Sequence, residues 1–300
     1  MPKLICIGNA VLDIFSKTPT GFLESLNITK GSMTLVDDLE KFKTLENDGL
    51  DHQISSGGSA INTAAAFAIL SKSTKVFVKL GKDANGIKYK QDLENLGITV
   101  ISSICPDKPN AKSRVYISED GERTMLTYLG ATSTIYPNDF DLSELDNDAM
   151  IFCEGYMFDS APELMKNLAV IIKDKGLRSS LTLSDSECVK RNYQKIADFV
   201  KQTNPIVFAN SKELAEFKEN AYQFIVHTKS EDGSEVIENG KIVAHAPAIK
   251  VNKVIDATGA GDVFAGTFLY YYLSSSDLNK SLAQANLAAS KVIQKIGARL

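Results

Sequence analysis

Late in the sequence, Asp256-Ala-Thr-Gly-Ala-Gly-Asp-Val-Phe-Ala-Gly266 sets a run of small residues directly before a helical pattern. There the backbone N–H groups of Gly259, Ala260 and Gly261 can approach an anion closely, and the positive end of the helix dipole favours negative charge. Asp262 falls in the first turn beside that anion site. A carboxylate next to a phosphate pocket is a poor anion ligand but a good base for an attacking hydroxyl. The same residues would also serve as a Gly-rich turn with an acidic cap, which stabilises a helix without doing chemistry.

Other residues offer pieces of a binding site. Asp13 follows an apolar run in Gly8-Asn9-Ala-Val-Leu-Asp13. A carboxylate can accept two hydrogen bonds from a vicinal diol, although Asp is equally at home in a turn after a strand. Gly57-Gly58 precedes an Ala-rich run, where paired glycines permit close ligand approach, hinge motion or tight helix–sheet packing. Asn62 in that run carries both a donor and an acceptor for a sugar hydroxyl. Asn210-Ser-Lys-Glu213 reads as a helix cap with its reciprocal acid, or as polar ligands at the carboxyl edge of a sheet. Arg123 sits on an expected hairpin, where most arginines are simply solvated. Several motifs are missing. Gly81…Gly86 is followed by Ile87 and fails as a P-loop. No Gly-x-Gly-x-x-Gly follows the first strand, which argues against a Rossmann dehydrogenase. His52, His227 and His245 lack the HExxH or His-Arg-Asp context of zinc hydrolases and protein kinases.

These residues need a frame, and the pattern supplies one. Continuous apolar runs at Leu4–Ile7, Val76–Val78, Met150–Phe152, Leu181–Leu183, Ile206–Phe208 and Phe224–His227 read as strands buried on both faces. Helical stretches lie at Ala60–Leu70, Lys88–Leu96, Pro162–Lys175, Asn192–Lys201, Ser211–Glu219, Gly261–Leu273 and Leu278–Ile296. The alternation predicts a mainly parallel sheet with helices on both faces. Two regions break it: Val11–Val36, with strand-like pieces around Thr18-Pro-Thr-Gly21, and a hairpin over Lys112–Leu129 around Glu119-Asp-Gly-Glu122. Both suit a small second sheet. A third hairpin is expected at Ser234–His245 around Asn239-Gly240. No linker, repeat or charge run separates domains, so a single domain is expected over 1–300, its small sheet built from about 11–36 and 112–129.

Composition sets the outer bounds. The 300 residues are 44% apolar and 23% charged, and 33 basic against 37 acidic residues leave a net charge of −4. That balance fits a globular α/β protein and disfavours a nucleic-acid binder, which needs a concentrated basic face. Cys6, Cys105, Cys153 and Cys188 form no CxxC pair, so neither a disulfide framework nor a zinc site is expected. No apolar run reaches the roughly 18–20 residues of a membrane span, and Asp13 interrupts the first apolar stretch before any cleavage site. Cytoplasmic location with reduced thiols is the expectation, with no membrane partner.

Asp256–Phe268 resembles the carboxy-terminal signature of the PfkB carbohydrate kinase (ribokinase-like) family, and Gly57-Gly58-Ser59-Ala60-Ile61-Asn62 is similar to its amino-terminal signature. The order between them also matches: a polar diol ligand near the first strand, a lid hairpin, Asn-x-x-Glu, then Gly-Ala-Gly-Asp. The resemblance implies a three-layer α/β/α fold with a mainly parallel central sheet and a small β-sheet lid. It implies ATP as phosphoryl donor, Mg²⁺ as cofactor and a small-molecule acceptor. Asp262 would be the base, with Gly259, Ala260 and Gly261 around the transferred phosphoryl group and Arg123 reaching it from the lid. Asn9, Asp13, Gly57, Gly58 and Asn62 would hold the acceptor. Asn210, Thr228 and Gly233 would line the nucleotide together with Gly259 and Gly261, although Lys229 replaces an often small residue in that loop. Glu213 would stand near Mg²⁺ through water, and Asp256 and Thr258 match positions that in some relatives contribute to a K⁺ site.

Asn9–Asp13 and Gly121-Glu-Arg123…Leu129-Gly-Ala131 look more like adenosine-kinase-like members than like ribokinases. The expected reaction is γ-phosphoryl transfer to a primary hydroxyl of an adenosine-like ribonucleoside, with a free sugar such as ribose or fructose as the alternative. Val11, Met33, Leu35, Met125 and Leu126 either cover a flat base or form the lid's own core. A non-catalytic binding protein would be expected to lack Asp262 or the Gly-Ala-Gly loop, and both are present. The lid sheet would close a monomer or pair two chains.

Overall fold

The computed structural model describes residues 1–218 and 223–300. Its first half runs β1 (Leu4–Ile7), β2 (Val11–Lys17), α1 (Phe22–Ser25), β3 (Met33–Leu35), α2 (Leu39–Glu46), β4 (Gln53–Gly57), α3 (Ser59–Leu70), β5 (Thr74–Gly81), α4 (Ala84–Asn95), β6 (Thr99–Cys105), β7 (Ala111–Ile117) and β8 (Arg123–Tyr128). The second half runs β9 (Met150–Glu154), α5 (Met157–Ser160), α6 (Pro162–Lys175), β10 (Arg178–Thr182), α7 (Ser186–Thr203), β11 (Ile206–Asn210) and α8 (Ser211–Glu216). It continues through β12 (Phe224–Thr228), β13 (Ser234–Glu238), β14 (Lys241–Ala246), α9 (Ala260–Ser275) and α10 (Leu278–Val292).

Every residue of β1 is buried because each face of the strand meets its own core. Leu4 and Cys6 point into a cluster shared with α3, α9 and α10, while Ile5 and Ile7 point into another shared with α6 and α7. That is the three-layer arrangement the unbroken apolar runs predict. The large sheet has nine strands in the order β14-β13-β12-β11-β10-β9-β1-β5-β6. Only the two pairings at the β14 end are antiparallel. After β1 the chain builds outward through β5 and β6, and only later fills the other side through β9 to β12. A crevice therefore opens at the carboxyl ends of β1 and β9, where open α/β sheets bind ligands.

The second sheet has five strands in the order β3-β8-β7-β2-β4. The expected hairpin is present as β7 and β8 in antiparallel register, and the Asn239-Gly240 hairpin is β13 and β14, with both turn residues at positive φ. Strand β4 is an addition to the expected 11–36 and 112–129 segments: it is short, mostly polar, and pairs antiparallel with β2. Strand β6 was equally hard to foresee, since it is a half-exposed edge without a continuous apolar run. The expected helix over Leu278–Ile296 ends at Val292, because the Ile293 carbonyl is taken by the N–H groups of Ile255 and Asp256. The Ser211–Glu219 helix ends at Glu216, and Glu219 itself lies outside the described residues. No described helix is long and apolar enough to cross a membrane.

Candidate active site

The crevice holds a pocket with polar groups at one end and an apolar wall at the other. At the polar end, Asp262 occupies the first turn of α9. Ser59 Oγ donates to its Oδ1 at 2.6 Å and Asn62 Nδ2 to its Oδ2 at 3.1 Å. Both partners come from the first turn of α3, so the site depends on how α3 and α9 cross. Gly266 makes that crossing possible, since any side chain there would strike the Thr63 carbonyl. Burial pushes the Asp262 carboxyl up, while the bonds from Ser59 and Asn62 and the Arg123 charge pull it down.

Gly259 caps α9 in the left-handed conformation (φ 74°) and lines the pocket. A Cβ on Gly261 would project into open space. The amino end of α9 thus presents an uncovered backbone where an anion fits. Asp256 fixes this loop from behind: its Oδ1 accepts from the Thr258 N–H (2.8 Å) and hydroxyl (2.5 Å), and its Oδ2 from the Gly297 N–H (2.8 Å).

Asp13 reaches the pocket from β2. Its carboxylate packs against Gly57 so closely that no other residue could stand there. Unlike Asp262, it accepts no hydrogen bond among the described residues. Burial raises it to about 7, opposed chiefly by the Arg299 charge. Asn9 lies beside it, and its Oδ1 is buried without a partner among the described residues. A ligand hydroxyl would satisfy that acceptor. Gly58 lines the pocket and precedes α3.

The apolar wall is Val11, Met33, Leu35, Met125 and Leu129, mostly from the second sheet. Of the five apolar residues with two expected places, Leu126 takes the second, the core of the small sheet. It lies on the opposite face of β8, packed with Leu23, Val36, Phe42 and Tyr116 under α1 and α2. The strand alternates, so Arg123, Met125 and Thr127 face the pocket instead. Arg123 spans the gap to the α9 loop, its Nη1 donating to the Ala257 carbonyl at 2.9 Å.

Asn210, Glu213, Thr228 and Gly233 stand farther along the same carboxyl edge, at the ends of β11 and β12. Asn210 caps α8, and Glu213 returns both oxygens to it: Oε1 accepts from Asn210 Nδ2 at 2.6 Å and Oε2 from the Asn210 N–H at 3.0 Å. Burial raises Glu213 to about 7, with Asp185 and Asp262 pushing the same way. Its field therefore overlaps the pocket even though its side chain is committed to the cap. The Thr228 hydroxyl donates to the Ala209 carbonyl at 3.5 Å, and the Gly233 carbonyl closes the loop by accepting from the Lys229 N–H at 2.8 Å. Lys229 itself turns to Glu235 at 3.2 Å.

The sequence reading did not single out Ser59 and Glu154, which line the pocket along with Ser113, Thr127, Tyr156, Asp159 and Ser184, or Arg299, which lies behind Asn62. Glu154 ends β9, with Oε1 accepting from the Asn9 N–H (3.0 Å) and Nδ2 (2.8 Å) and Oε2 from the Ala60 N–H. Burial raises it to about 7 against those bonds. An acid closing the apolar run Met150–Cys153 was the available signal. Ser59 stood inside a motif without being singled out. Arg299, which donates to Asn62 Oδ1 at 3.4 Å, had no local signal at all.

Residues 25–300 match the family model described as pfkB family carbohydrate kinase. The chain is 32% identical to the adenosine kinase of Sinorhizobium meliloti, at a TM-score of 0.92 that covers 100% of this chain and 96% of that one. It is 34% identical to a probable sugar kinase from Rhizobium etli CFN 42, with a TM-score of 0.91 and coverage of 99% and 94%. An ATP-dependent ribose-1-phosphate kinase of Halopiger xanaduensis is 28% identical over 259 residues, 82% of each chain.

Proposed function

From the premise that this chain belongs to the pfkB family of carbohydrate kinases and is a sugar or nucleoside kinase, we propose that its acceptor is an adenosine-like ribonucleoside, phosphorylated on its primary hydroxyl by Mg-ATP. The observation that carries this reading is the two-ended pocket. Asp13, Asn9 and Asn62 suit the hydroxyls of a ribose, while Met33, Leu35, Met125 and Leu129 form an apolar face matched to a flat base. A free sugar would leave that wall without a partner.

Asp262 orients the primary hydroxyl and accepts its proton as the bond to phosphorus forms. Little prior deprotonation is needed in a loose transition state, so a carboxylate serves as base. The amides at the start of α9 and the Arg123 guanidinium face the charge on the transferred phosphoryl group. The second sheet acts as the lid, carrying Arg123 and the apolar wall onto the bound acceptor. ATP lies along β11 and β12, by Asn210, Thr228 and Gly233.

Glu213 suits Mg²⁺ held through water, because both its oxygens already accept bonds from Asn210. Among the described residues no group of three or more His, Cys, Asp or Glu side chains converges to hold an ion directly. The nucleotide's own phosphates would supply most ligands, and the ion would neutralise charge on them.

A coupled ADP-release assay with Mg-ATP and a panel of adenosine, other nucleosides, ribose, fructose and sugar phosphates tests this directly. Adenosine-dependent turnover is expected. Turnover with a free sugar or sugar phosphate alone would keep the mechanism and reject the nucleoside.

A further inference from the structure

The segment after α10 is pinned to the loop that leads into α9. The Gly297 N–H donates to Asp256, and Ala298 packs directly on Gly259, where a side chain would collide with it. Arg299 is thereby delivered beneath the pocket. Its Nε donates to Asn62 Oδ1 at 3.4 Å, while the other end of the same amide donates to Asp262 Oδ2 at 3.1 Å. An arginine can only donate, so it admits one of the two orientations of the Asn62 amide, the one that aims NH₂ at Asp262. The guanidinium also lies in the fields of Asp13, Tyr89 and Asp92, and its Nη2 is buried without a hydrogen-bond partner among the described residues.

We propose that Arg299 is a positioning residue of the acceptor pocket: it fixes the Asn62 amide toward Asp262 and supplies the positive charge that backs the Asp13 carboxylate. A buried cation is costly unless something requires it. Here two pocket residues do. Asp13 must be ionised to accept both hydrogens of a ribose diol, and burial opposes that. Arg299 is its largest opposing influence, with Arg123 helping and Asp262 and Asp256 working against it. Glu154, Glu213 and Asp262 owe no leading part of their own shifts to Arg299. Removing the guanidinium therefore acts on Asp13 through its charge and on Asp262 only through the Asn62 amide.

The inference rests on the acceptor-kinase reading, so its test has one arm with substrate and one without. With adenosine and Mg-ATP, Arg299→Gln should raise the acceptor KM severalfold near neutral pH, because less of Asp13 is then ionised. The ATP KM should stay as in wild type. The acid limb of kcat/KM should move to higher pH, and Arg299→Lys, which keeps the charge, should restore most of that limb. In the substrate-free arm, carbon NMR titration of the Asp13 carboxyl should show its midpoint rising in Arg299→Gln and returning in Arg299→Lys. An unmoved Asp13 midpoint overturns the inference whatever the acceptor proves to be, and so does a loss of Tm with acceptor KM and pH limb unchanged. A wild-type enzyme that ignores adenosine, with the Asp13 midpoint still rising in Arg299→Gln, would reject the nucleoside and leave Arg299 in its place.

Discussion

Asp262 and Asp13 are two buried acids in one pocket, and their partners set them apart. Asp262 accepts hydrogen bonds from Ser59 and Asn62, which favour its ionised form and aim its lone pairs. Asp13 has only charge and the space beside Gly57. The first arrangement suits a base that must be in place before reaction, and the second a ligand completed by substrate. Asp262→Asn should thus leave acceptor and nucleotide binding within a few-fold of wild type while lowering kcat by about 10²–10⁴, the usual share of a positioned base. Calorimetric binding and single-turnover kinetics check this, and near-normal turnover would remove Asp262 as the base. Both acids were legible in the sequence because each stands in a motif with its glycines. Arg299 was not, since its significance comes from a contact with Asn62 across 237 positions. Glu154 fell between: its place at the end of an apolar strand was visible, but its hold on Asn9 and Ala60 was not.

Crossings between elements decide whether those residues meet. Helix α3 carries Ser59 and Asn62, α9 carries Asp262, and the two lie in close contact at Gly266 against the Thr63 backbone. Replacing Gly266 with Ala forces the helices apart, since the obstacle is a carbonyl and not a flexible side chain. Overpacking of this kind costs about 1–3 kcal/mol. The loss of kcat should be disproportionate, because it loosens the Ser59 and Asn62 bonds to Asp262 without touching a residue of the site. Parallel Tm and kcat measurements on Gly266→Ala test this; a stability loss with unchanged kcat would show that the crossing does not set the site's geometry. The strands buried on both faces were readable from their unbroken apolar runs, and the β13–β14 hairpin from Asn239-Gly240. Strands β4 and β6 were not, because edge strands carry mixed residues whose pairing partners are distant in sequence. Leu126 shows the same limit. Period two in β8 places it opposite Met125, yet which face meets the pocket depends on α1 and α2 packing beneath the other.

Over the whole molecule, the buried acids of the crevice leave a mark on stability that needs no substrate to detect. Asp13, Glu154 and Glu213 are each raised to about 7 by burial, from ordinary values of 3.8, 4.5 and 4.5. An unfolded chain releases these protons near pH 4, while the folded one keeps them to about pH 7. The folded state therefore binds more protons through that window and loses stability as pH rises, at up to about 1.4 kcal/mol per pH unit for each group. The ion-paired acids run the other way. Asp48, held low by Arg114, and Asp139, held low by Lys79, already contribute in full above pH 4 and lose their contribution only below it. Tm should accordingly peak on the acid side of neutrality and fall from about pH 5 to about pH 8. Asp13→Asn isolates one contribution, because Asp13 gives up no hydrogen bond when neutralised. It should raise Tm by several degrees at pH 8, change it little at pH 5, and abolish acceptor binding at pH 8, where the wild-type carboxylate is ionised. Differential scanning calorimetry across that range decides the matter. A variant as pH-sensitive and as stable as wild type at pH 8 would show that Asp13 is not held at a cost to the fold. The expected result would mean that stability is given up at this position for the grip on the acceptor.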